Sequence, residues 1–78
     1  MTIKMVETLM NMAIAERAKA SMNLSIYLSS SVAVGEHPDV VEEANKLVAK
    51  IADADGKIEV LAKLVEEIKT IDAAKNKA

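Results

Sequence analysis

Nine apolar residues in the second half of the chain follow one another in alternating steps of four and three: Val40, Ala44, Leu47, Ile51, Ala54, Ile58, Leu61, Val65 and Ile68. A helix turns once in about 3.6 residues, so these steps set all of them along one stripe. A stripe sustained over four heptads is the a/d seam of a helix that packs along its whole length against another helix. The seam therefore demands a partner surface. It brings no chemistry of its own.

The punctuation supplies the first partner. Gly35 and Pro38 stand three residues apart, and Gly35 is one of only two glycines. Glycine commonly closes a helix and proline opens one. The segment Val34–Pro38 thus reads as a tight helix–helix connection. The expected layout is a single domain over residues 1–78, with a helix over 2–31, a turn over 32–37, a helix over 38–73 and a frayed tail over 74–78. Thr2 is placed to cap the first helix. Asp39, Glu42 and Glu43 oppose the positive end of the second helix dipole. The polar run Ser29–Ser31 weakens the end of the first helix. So short a connection makes the helices antiparallel neighbours in a rod about 45–50 Å long.

The first helix is less regular. Its apolar face holds Val6, Leu9, Met10, Ala13, Ile14, Ala20, Leu24, Tyr27 and Leu28, and Met5, Met12 and Met22 widen it. One partner helix cannot cover that band. The second helix likewise carries Val41, Val48, Ala62 and Leu64 beside its seam. The chain has no Cys, Phe or Trp and one Tyr, so Ala, Val, Ile, Leu and Met must build the core without disulfides. Scaffolds this small rarely bury enough surface alone. The expected fold is all-α: an antiparallel two-helix hairpin that dimerises into a four-helix bundle. Met5, Leu9, Met12, Leu24, Val41, Val48 and Leu64 form its interface. The Met-rich face has two readings: core of that assembly, or an adaptable surface for a different protein.

Arg17 falls in the middle of the first helix's apolar face, where an unpaired charge is costly. Hairpin geometry sets residues whose numbers add to about 71 opposite one another, which brings Arg17 level with Ala54. Asp55 flanks the seam at that level and Asp53 points away. Arg17 and Asp55 are therefore expected to form an internal ion pair, within the bundle or across its dimer interface, the alternative being an Arg17 that reaches solvent along its own aliphatic stem.

Few residues could carry chemistry. Asp53-Ala54-Asp55-Gly56-Lys57-Ile58 resembles part of a calcium loop, but aligned on Gly56 the anionic ligand positions 1 and 12 are Ile51 and Ala62. The seam also passes straight through the motif. Gly56 in mid-helix suggests close approach by a neighbouring helix. His37 is the only histidine and sits in the turn. Bundle metal sites use several carboxylates with Glu-x-x-His pairs, and none occurs, so any di-metal centre would have to be all-carboxylate. No nucleophile–base set or phosphate loop can be assembled, so no catalytic residue, cofactor or metal ligand is assigned and the expectation is not an enzyme. The net charge is −2 with acids interleaved among Lys46, Lys50, Lys57 and Lys63, which disfavours nucleic acid. No apolar run reaches the roughly 18–20 residues of a spanning helix, and the start does not read as a signal peptide. A cytoplasmic location without a membrane partner follows as the expectation.

The stretch Val32-Ala33-Val34-Gly35-Glu36-His37-Pro38-Asp39-Val40-Val41-Glu42-Glu43, with the Lys/Ala/Asp-rich heptads after it, resembles small uncharacterised helical proteins of tailed phages of marine cyanobacteria. The resemblance covers about half of the chain and implies an accessory phage protein acting on a host or phage partner. It supplies no functional residues. The functional expectation is a non-enzymatic assembly or protein–protein interaction module, with a homodimer and an unidentified protein as partners. The alternative is a small nucleic-acid-binding regulator on the same dimeric hairpin.

Overall fold

A computed structural model describes residues 2–29 and 39–77, and these form two helices that pack on each other: α1, Ile3–Ser29, and α2, Val40–Lys77. Among the described residues there is no strand. The turn expected over 32–37, with Gly35, His37 and Pro38, lies outside the described residues.

Local chemistry explains the helix ends. The Met5 backbone N–H donates to the Thr2 hydroxyl at 3.2 Å, and the Val6 N–H donates to the Thr2 carbonyl. Thr2 is thus the N-cap: its hydroxyl satisfies the Met5 amide, which has no partner inside the helix, and its carbonyl accepts the first helical bond. At the other end α1 keeps its helical form through Ser29, whose hydroxyl donates to the Ile26 carbonyl. The Glu43 N–H donates to the Asp39 carbonyl at 2.9 Å, so α2 enters from Asp39 and is helical from Val40. Glu42 and Glu43 lie in its first turn, where carboxylates oppose the helix dipole.

Two expectations are corrected here. The second helix is described to Lys77, four residues beyond the expected end at 73. The rod is 66 Å long and about 15 Å across, longer than expected. Because α2 has 38 residues against 27 in α1, its C-terminal turns run past the start of α1.

The seam governs the packing. All nine seam positions of α2 are buried or half-buried, and among its other described side chains only Leu64 is withdrawn from solvent. α1 answers with its own three–four alternation: Ile3, Val6, Met10, Ala13, Ala20, Leu24 and Tyr27 are buried or half-buried, and Arg17 takes the one step where an apolar residue is due. Val6, Ala13 and Leu61 form the innermost cluster, with Met10, Ile58, Leu64, Val65 and Ile68 packed around it. Ala13, Ala20 and Ala54 are nearly fully buried. Their small side chains bring the helices close but remove little apolar area from water. Leu9, Ile14 and Leu28, expected on the core face, are 42%, 49% and 75% exposed.

Candidate functional site

The seam divides the hairpin into two flanks, each marked by an ion pair across the helices. On one flank the Lys57 ammonium lies 3.2 Å from a Glu16 carboxylate oxygen and 3.5 Å from Asp53. The hydrogen bond and charge of Glu16, then the charge of Asp53, hold the Lys57 pKa above its ordinary 10.5. On the other flank the Arg17 Nε–H donates to Asp55 Oδ1. Hairpin geometry alone brings these two residues together: Arg17 leaves the seam of α1 and reaches the flank of α2. The pair is not internal within this chain. Its side chains are 47% and 51% exposed.

The Glu16–Lys57 flank is grooved. At one end lies an open groove of about 580 Å³ lined by Leu9, Met12, Val60 and the Lys57 and Glu16 side chains. It continues past Lys19, Lys50 and Asp53, and then past Asn23 to Ile26, Tyr27 and Glu43. The chemistry along it is apolar, then charged, then mixed. The groove has no enclosed interior, and Glu16, Lys57 and Asp53 within it pair with one another.

The seven residues expected at an interface fall into three places. Met5, Leu9 and Met12 lie along the grooved side of α1 and are 56%, 42% and 55% exposed. Val41 and Val48 lie beside the α2 seam on the Arg17–Asp55 flank, 68% and 50% exposed. Leu24 and Leu64 are half-buried, with Leu64 packed against the core cluster. Both therefore belong mainly to the hairpin itself. Val60, 58% exposed beside Leu9 and Met12, went unnoticed in the sequence because it stands off the seam, between Glu59 and the seam residue Leu61. Ile3 could have been found by stepping the α1 alternation back from Val6.

The calcium-like string Asp53–Ile58 lies within uninterrupted helix. Asp53 and Asp55 belong to different ion pairs. Gly56 does not mark a close helix contact: a Cβ built there meets nothing within 4 Å. In this chain alone its neighbours are too far away to require a glycine. Among the described residues no group of three or more His, Cys, Asp or Glu is placed to hold a metal ion. No described helix is long and apolar enough to cross a membrane.

What the geometry offers is an elongated surface with apolar strips on two flanks. No protein-family model, curated protein or solved structure matches this chain.

Proposed function

We propose that this protein is a non-enzymatic helical assembly module whose hairpin completes its core by pairing with a second copy into a four-helix bundle. One observation carries the reading. The chain exposes 6003 Å² of surface, whereas a compact folded monomer of 8.4 kDa exposes about 4,600 Å². The excess is roughly 1,400 Å², and Met5, Leu9, Met12, Val41, Val48 and Val60 are each more than 40% exposed. Soluble proteins seldom leave strips of that kind uncovered. A symmetric dimer is the commonest way to cover them.

The resemblance to phage proteins suggests an accessory role in a cytoplasmic setting, with a host or phage protein as a further partner. The nucleic-acid reading gains less support. Lys46, Lys57 and Lys63 each lie within 4 Å of an acid, so their charge is already met before any phosphate arrives. Sedimentation equilibrium at micromolar concentration tests the assembly: a mass twice that of the chain is the expected result, and a stably folded monomer refutes it. Salt-dependent retention on RNA or DNA resins by the purified protein would turn the reading toward the regulator.

A further inference from the structure

We infer that the second copy seats on the grooved flank, with both hairpins pointing the same way and α1 of each copy lying against α2 of the other. This rests on the self-assembly reading above and goes further, to the face and the orientation.

The ion pairs set the levels of the two helices. Arg17 stands beside Asp55 and Glu16 beside Lys57, so level residues have numbers that add to 72 or 73. Met12 is then level with Val60, Leu9 with Leu64, and Lys19 with Asp53. A two-fold axis parallel to the rod keeps these levels while placing α1 on the other copy's α2. Met12 then meets Val60 of the second copy, and Leu9 meets its Leu64. Glu16 meets its Lys57, and Lys19 meets its Asp53. Apolar groups face apolar groups and each charge faces its opposite, which is what fixes partner and register at an interface. A two-fold axis across the rod instead lays α1 on α1 reversed about Glu16. That sets Leu9 level with Asn23 and Met12 beside Lys19, which leaves apolar groups against polar ones.

The other flank fits a second copy less well. There the Arg17–Asp55 pair joins the two helices beside Val41 and Val48, so a second copy would meet fewer complementary charges than along Glu16, Lys19, Asp53 and Lys57. Area sets the extent of the contact. An obligate homodimer buries roughly 1,000–2,500 Å² per chain, so the copies must overlap along most of α1, which the level-for-level arrangement allows.

The test combines sedimentation with a distance. Wild type and Val48→Lys should sediment as dimers at micromolar concentration. Met12→Lys, which puts a cation opposite Val60, should lose the dimer yet stay helical by circular dichroism. The chain has no cysteine, so Ile71→Cys gives one spin label per copy in the overhang beyond α1. Dipolar spectroscopy should find the two labels within about 25 Å, the span of a bundle diagonal plus the label arms. In the opposite orientation they would lie about 45 Å apart. A dimeric Met12→Lys, a monomeric Val48→Lys or labels near 45 Å overturns the inference and leaves self-assembly standing. A monomeric wild type removes both. Should Met12→Lys unfold, the label distance carries the test alone.

Discussion

The Arg17–Asp55 pair offers a quantitative check on what covers each flank. Its two side chains are about half exposed in the single hairpin. Ion pairs between solvent-exposed groups contribute about 0.2–1 kcal/mol, whereas breaking an enclosed pair by removing one partner costs about 3–5 kcal/mol. The seating inferred above leaves this pair at the outer flank, so it should behave as exposed in the dimer as well. The perturbation is a double-mutant cycle of Asp55→Ala, Arg17→Met and the two together, followed by urea denaturation at several protein concentrations. The coupling should stay below about 1 kcal/mol and weaken at 1 M salt, where screening acts within about 3 Å. Asp55→Ala alone should lower the melting temperature by no more than about 8 °C. Arg17→Met should compensate by placing an apolar side chain at the one charged step of the α1 seam. A coupling of 3 kcal/mol or more that persists in salt would show that something encloses this flank, and would refute the seating.

Four further outcomes follow from the local geometry. Gly56→Ala should stabilise the protein by about 1 kcal/mol, because helix propensity improves and the new Cβ meets nothing in its own chain; destabilisation on thermal melting would mean that the second copy, seated on the groove that Gly56 also lines, packs against that Cβ. Thr2→Ala should cost about 1 kcal/mol through loss of the N-cap, and an unchanged urea midpoint would contradict the cap. The Lys57 pKa is raised by Glu16 and Asp53, so the small stabilisation from their attraction is present below pH 10.5 and lost as pH climbs through the raised value. Glu16→Gln should flatten that alkaline loss in a melting series, and an unaltered series would show the contact idle. Millimolar calcium should leave the melting temperature unchanged, since Asp53–Ile58 is continuous helix; a stabilisation that EDTA reverses would overturn that expectation.

Much of the fold is local and so was written in the sequence. The four–three steps of α2 dictated which side chains turn inward, and all nine are withdrawn from water, because the period of a helix leaves no second choice of face. Thr2 caps α1 because a hydroxyl before an amphipathic run can reach the N–H three residues on. Even the approach of Arg17 to Asp55 could be counted out, since a short connection between antiparallel helices sets their register. Tertiary structure alone decided how much each residue is covered. The number of apolar residues on α1 could not say that Leu9, Met12 and Ile14 stay open while Ile3 and Met10 are half-buried; that depends on how far around α1 its single partner helix reaches. Nor could it say that Arg17 turns outward to a half-exposed pair, or that Gly56 faces empty space. Periodicity names the face a helix offers, but only the position of its neighbours fixes how far that face is shielded from water.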